Sequence, residues 1–242
     1  MKWKLACAAA VGIVLVVGAG AALAAPHRRG RDGVEALERR YYASLLRTDQ
    51  RPPAKALLAD FLAQTAPDRN LAGARLLRWR GEAAAVLTVE QRKDAGGLAA
   101  FVAKMDAAAK REGLDKLLDG TDREALAKRV ERLDAATPDE RVAIGLEILE
   151  QVYDVYEPVL ARRLTLTDDQ RARLRALLAS ARDDLRPIAV RLELAKVELY
   201  RKALALLDDD QRAKFAAFHS DLRAKVLAFL RKSGSVTTPT PK

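Results

Sequence analysis

The sequence predicts an all-α fold, helical hairpins or a bundle with long kinked helices, and three observations carry that prediction. Helix formers dominate the 242 residues, with aromatics at 5% and only 13 Gly and 9 Pro. Strand-like alternation of apolar and polar residues is absent. A helix-start pattern recurs three times: Leu87-Thr88-Val89-Glu90-Gln91-Arg92, Leu166-Thr167-Asp168-Asp169-Gln170-Arg171 and Leu207-Asp208-Asp209-Asp210-Gln211-Arg212. The intervals, 166 − 87 = 79 and 207 − 166 = 41, are unequal, so the repeat is not a solenoid. Hydrophobic residues make up 50% of the chain, enough to bury a core in one ordinary domain or two small ones.

Each copy reads as an N-cap. The hydroxyl of Thr88 or Thr167, or the carboxylate of Asp208, can accept from an orphan amide of the first turn. Gln91, Gln170 and Gln211, three residues on, can reach back to the amide of the cap residue. Acidic residues between them complement the positive helix end. A hydrophobic staple would need an apolar residue where Arg92, Arg171 and Arg212 stand, so Leu87, Leu166 and Leu207 are expected to pack on another helix.

In chain order, Asp32 is positioned to cap a helix with Val34, Leu37, Tyr41 and Leu45 on one face, ending before Arg51-Pro52-Pro53. A short helix with Leu57, Leu58, Phe61 and Leu62, a turn at Ala66-Pro67-Asp68-Arg69-Asn70 and an apolar segment around Leu76, Leu77 and Trp79 complete an N-terminal region over 32–86. The helix opened by Thr88 carries Leu98, Phe101, Val102 and Met105, with Gly96-Gly97 as its weak point and Gly113 near its end. Capping boxes at Thr121-Asp122-Arg123-Glu124 and Thr137-Pro138-Asp139-Glu140 open two more. The second begins a stripe of Val142, Leu146, Leu149, Tyr153, Tyr156 and Leu160, which Pro158 kinks or cuts short.

After Thr167, the positions Leu174, Leu178, Ala181, Leu185, Ile188, Leu192, Ala195 and Leu199 alternate steps of four and three, the spacing of a helix packed lengthwise on others. The register passes through Pro187 unbroken, which favours one kinked helix over two. The last helix shows Phe215, Phe218, Leu222, Val226 and Phe229, and residues 232–242 read as a disordered tail.

The Leu-Thr-x-x-Gln pattern resembles that of the Spy/CpxP group of bacterial periplasmic proteins, in which paired copies begin helices of a small helical cradle. The similarity covers 87–231: Leu166 to Arg171 leads through a basic helix to Arg186-Pro187, as the family's first motif does, and Gln211-Arg212-Ala213-Lys214-Phe215 is similar to its second. The 79-residue interval between the first two copies also suits the family's spacing, so two assignments of the pair stay open. The resemblance implies an ATP-independent chaperone and envelope stress protein that binds unfolded clients, and a homodimer. Its inhibitory members imply instead an adaptor docking on one envelope partner, such as a sensor.

Residues 1–24 read as a signal peptide, with Lys2 and Lys4, an apolar run from Leu5 and Ala22-Leu23-Ala24 before the expected cleavage point. An uncleaved inner-membrane anchor is the alternative, kept open by the run's length and by His27-Arg28-Arg29-Arg31 beyond it. Either way the expected compartment is the periplasm. Cys7, the only cysteine, lies inside this segment, so the mature chain would form no disulfide. Without Lys2 and Lys4 the formal charge falls from +10 to +8, which favours anionic partners or a membrane surface. Nucleic acid is not an expected partner, because aromatics are few and no recognition motif appears.

Catalysis is poorly supplied: His27 and His219 stand alone, and there is no phosphate loop or serine-nucleophile motif. No enzyme activity, cofactor or metal is expected, since clustered His, Met or Cys is lacking. The informative feature is a strip of Arg171, Arg175, Arg182 and Arg186 beside the leucine stripe. One reading is a core seam flanked by long side chains. The other is a client surface whose apolar patch touches exposed segments while the arginines attract charge. Binding of basic amphipathic helices to a membrane surface is a third possibility.

Overall fold

The computed structural model describes residues 34–94, 123–133 and 135–232, and within them every regular element is a helix. In chain order these are α1 (Val34–Leu45), α2 (Arg51–Val86), α3 (Val89–Asp94), α4 (Arg123–Arg132), α5 (Pro138–Leu164), α6 (Asp168–Ala205) and α7 (Asp209–Lys232). The leader 1–24, the stripe Leu98, Phe101, Val102 and Met105, Gly96-Gly97, Gly113, the cap Thr121-Asp122 and the tail from Ser233 lie outside the described residues.

The most extensive contact joins α2 and α6, the two longest helices. They run antiparallel: Trp79 meets Leu177, Arg75 meets Asp184, and Asp68 meets Arg191. Ala72, Leu185 and Ile188 form the buried seam, extended by Leu76 and Leu192. The expected heptad stripe is therefore the face that α6 lays along α2. α5 lies antiparallel on another face of α6, with Val142 and Leu146 packed on Ala189. Its opposite side contributes Ile144 and Ile148 to a core shared with Leu126 and Ala127 of α4 and with Val226 and Leu230 of α7. α1 joins the start of α7 through stacked Tyr41 and Phe218 rings and an edge contact of Tyr42 with Phe215. The side chains of Leu149, Tyr156 and Leu160 lie outside the description; Tyr153 is half-buried.

Two expectations are corrected. The segments expected on either side of a turn at Ala66–Asn70 form one 36-residue helix, so the boundary at Pro67 does not exist. A proline removes one backbone donor and usually breaks a helix interior, at about 3 kcal/mol. Here the lengthwise contact with α6 spans the site, and neighbouring side chains bond carbonyls of the preceding turn: Thr65 Oγ1 donates to Phe61 and the Arg69 guanidinium to Leu62. Pro158 does not end α5 early either, since the helix continues to Leu164. Pro187 lies inside an unbroken 38-residue α6.

The α2–α6 pairing reflects an internal duplication. Leu46-Arg47-Thr48-Asp49-Gln50-Arg51 is a fourth copy of the Leu-x-x-x-Gln-Arg pattern, before α2 as Leu166–Arg171 is before α6. The offsets 166 − 46 and 207 − 87 are both 120, as is 187 − 67 for the two prolines. Ala56-Leu57-Leu58-Ala59 recurs at the same offset as Ala176-Leu177-Leu178-Ala179. Thus α1–α2–α3 corresponds without a gap to α5–α6–α7.

Candidate functional site: paired glutamine clasps and the helix rows between them

At one end of the α2–α6 pair the second and third copies meet. Each glutamine closes its own capping box: Gln91 Oε1 accepts from the Thr88 amide at 2.8 Å, and Gln170 Oε1 from the Thr167 amide at 3.0 Å. The threonine hydroxyls accept the amides of Gln91 and Gln170, each at 3.2 Å. The two carboxamides then bond each other, Gln91 Nε2 to Gln170 Oε1 at 3.1 Å and Gln170 Nε2 to Gln91 Oε1 at 2.8 Å. The remaining N–H of each goes to the last turn of the helix before the other copy. Gln170 donates to Val86 O and Gln91 to Leu164 O, both at 2.9 Å.

At the other end the first and fourth copies repeat the pattern. Gln50 and Gln211 exchange two bonds of 2.9 Å. Their oxygens accept from the amides of Arg47 and Asp208, and their free N–H groups donate to Leu206 O and Leu45 O. Leu46 and Leu207 pack together with Phe215 beneath the pair. This answers the expectation that the motif leucine packs on another helix at this end, while Leu87 and Leu166 are half-buried. Of the glutamines, Gln50, Gln170 and Gln211 are buried.

The Gln91–Gln170 clasp thus caps four helix ends, two N-termini and two C-termini, whereas at the other the N-terminus of α2 has no side-chain cap and Gln50 closes the turn before it; both clasps use both donors and both acceptor sites of each carboxamide. α5 ends with Thr165 at φ 50°, the one positive-φ residue other than glycine among those described. A β-branched residue there costs roughly 1–2 kcal/mol. Gln91 also donates to its carbonyl at 3.3 Å. The Asp208 carboxyl is held below the usual carboxylate range by the Gln211 amide first and by Arg47 next.

The sequence reading missed the fourth copy because it required threonine or aspartate at the cap, and Arg47 stands there. The available signal was Leu-x-x-x-Gln-Arg at intervals of 41, 79 and 41. Arg47 keeps the backbone half of the box, and its guanidinium pairs with Asp208 across the clasp.

The four strip arginines lie along the side of α6 that faces α5, each with an acid of that helix. Arg171 forks onto Glu157, Arg175 meets Asp154 at 2.8 Å, Arg182 meets Glu150, and Arg186 meets Asp139 at 2.9 Å. Glu157 is buried, and the Arg171 hydrogen bond holds its carboxyl below the ordinary range. Further along the row, Glu193 receives Arg141 of α5. In this arrangement the strip joins α6 to α5.

The equivalent row of α2, displaced by 120 residues, runs Arg51, Lys55, Leu58, Leu62, Ala66, Arg69, Gly73 and Leu77. Among the described residues no acid pairs with Arg51 or Lys55. Leu58 is 40% exposed and Leu77 67%, and a Cβ built on Gly73 meets nothing within 4 Å. The acids that would match have no counterpart in α1: Leu37 stands in place of Glu157, and Val34 in place of Asp154.

Among the described residues no group of three or more His, Cys, Asp or Glu could hold a metal ion, and no helix is long and apolar enough to cross a membrane. Comparison with family models, curated proteins and solved structures finds no match.

Proposed function

We propose that this is an exported, ATP-independent chaperone of the Spy/CpxP type, binding unfolded envelope proteins on the open row of α2. The observation that carries the reading is the combination on one helix of exposed Leu58 and Leu77 with the cations Arg51 and Lys55, which no acid pairs among the described residues. Apolar contact there would be broad, and the adjacent charge would attract clients without fixing their sequence. The pairing of Leu-x-x-x-Gln copies supports the likeness to that group, and the leader-like residues 1–24 support a periplasmic address. Because Arg171, Arg175, Arg182 and Arg186 are engaged by α5, client contact is assigned to α2 instead.

The adaptor reading uses the same surface and differs in specificity, since the regular, rigid row also suits one defined partner. Light scattering of two unrelated aggregating proteins, without nucleotide, separates the two. The chaperone reading expects the purified protein to suppress both at near-stoichiometric ratios, with Leu58→Ser/Leu77→Ser weakening the effect. Suppression of neither would contradict it.

A further inference from the structure

We infer that the open row of α2 docks an acidic amphipathic helix, running antiparallel to α2 with its acids near its C-terminal end, as α5 docks on α6. This rests on the reading that the row is a protein-binding surface, and it names the partner's chemistry.

The molecule contains its own template. On α6, positions 171, 175, 178, 182, 186, 189 and 193 form one helical row occupied by α5: Glu157 and Asp154 hold Arg171 and Arg175, and Val142 and Leu146 cover Ala189. On α2 the same row keeps both end cations as Arg51 and Lys55. It replaces the two further arginines by Leu62 and Ala66, Ala189 by Arg69, whose guanidinium folds back to donate to Leu62 O, and the buried Glu193 by Gly73. A ligand for α2 therefore needs acids opposite Arg51 and Lys55, and apolar residues where α5 carries Glu150 and Asp139. Gly73 leaves room for a closer approach than Glu193 allows.

The chain's own preceding segment does not have this chemistry. The counterpart of α5 is α1 and the residues before it, where by the same offset Leu37 and Val34 stand in place of the Glu157 and Asp154 that hold Arg171 and Arg175. A separate acidic helix is the complementary occupant. Apolar anchors at helical spacing would seat it, and the charge pair would fix its direction.

The test uses the purified protein and a labelled synthetic peptide of residues 138–160 carrying Asp139→Leu and Glu150→Leu, with a twin carrying Asp154→Lys and Glu157→Lys in addition. Fluorescence anisotropy is expected to show saturable binding of the acidic peptide to the parent protein. Affinity should fall about tenfold or more for Arg51→Glu/Lys55→Glu. The lysine twin should show the opposite preference, which displacement of α5 from the unchanged Arg171 and Arg175 would not produce. Leu58→Asp, at an exposed position inside the stretch that α5 covers on α6, should weaken the acidic peptide independently. Equal binding of both peptides to both proteins, or binding of neither, overturns the inference. Suppressed aggregation alongside such a result leaves the chaperone reading standing, whereas loss of both removes both. A concentration-dependent doubling of mass abolished by Leu58→Asp would assign the row to a second copy and also overturn it.

Discussion

Gln170 explains why the motif ends in glutamine when the ordinary capping box at Thr137 ends in glutamate. Glu140 accepts the Thr137 amide at 2.7 Å and the Thr137 hydroxyl at 2.8 Å, and is not asked to donate. Gln170 must also donate to Val86 O and to Gln91, which a carboxylate cannot do. Gln170→Glu should keep the box yet cost about 1–3 kcal/mol through unsatisfied buried groups, measured by urea denaturation at neutral pH. Thr167→Ala removes only the cap hydroxyl and should cost about 1 kcal/mol in the same assay; an unchanged midpoint would count against the capping account. Asp208 adds a pH dependence. Its folded-state carboxyl titrates below its unfolded value, so the stability it contributes is present above about pH 4 and is lost as pH falls through the depressed value. Asparagine caps comparably without the charge. The gap in melting temperature between the parent and Asp208→Asn should therefore narrow as pH drops from 6 toward 2.

The long helices show what local reading can and cannot find. The stripe on α6 was legible through Pro187 because seven steps of four and three agree on one face. α2 was not: Leu57, Leu58, Phe61 and Leu62 suggested a short helix, and Pro67-Asp68 a turn, because the apolar positions of α2 follow no single stripe. What holds α2 helical through Pro67 is its seam with residues more than 100 positions away, Leu185 and Ile188, which no local window contains. The arginine strip was legible as a pattern, but its partners on α5 could not be assigned from spacing. Those pairs should not contribute equally. Arg175 and Asp154 are both more than 60% exposed, so Arg175→Ala should cost under about 1 kcal/mol. Arg171→Ala leaves Glu157, 8% exposed, without its forked partner and should destabilise more. Thermal denaturation of the two variants checks the order.

For the whole molecule, duplication turns the motif from a helix-start signal into a statement of topology. Two copies flank each long helix, and the antiparallel pairing of α2 with α6 brings the four together as two clasps, separated by roughly the 54 Å expected for 36 helical residues. The three copies with a recognisable cap were enough to predict an all-α chain, but pairing them required the fourth, hidden behind Arg47. The duplication also makes the asymmetry between halves meaningful: α6 is covered by an acid-bearing helix, and the matching row of α2 is open among the described residues. The reciprocal clasp is the central claim, and a double-mutant cycle on Gln91 and Gln170 tests it most directly. If the carboxamides bond each other, the losses from Gln91→Ala and Gln170→Ala should couple by about 0.5–3 kcal/mol, while Gln170→Ala and Gln211→Ala, at opposite ends, should add to within about 0.5 kcal/mol. Additive losses within the first pair would contradict the clasp and reduce each motif to a cap of its own helix.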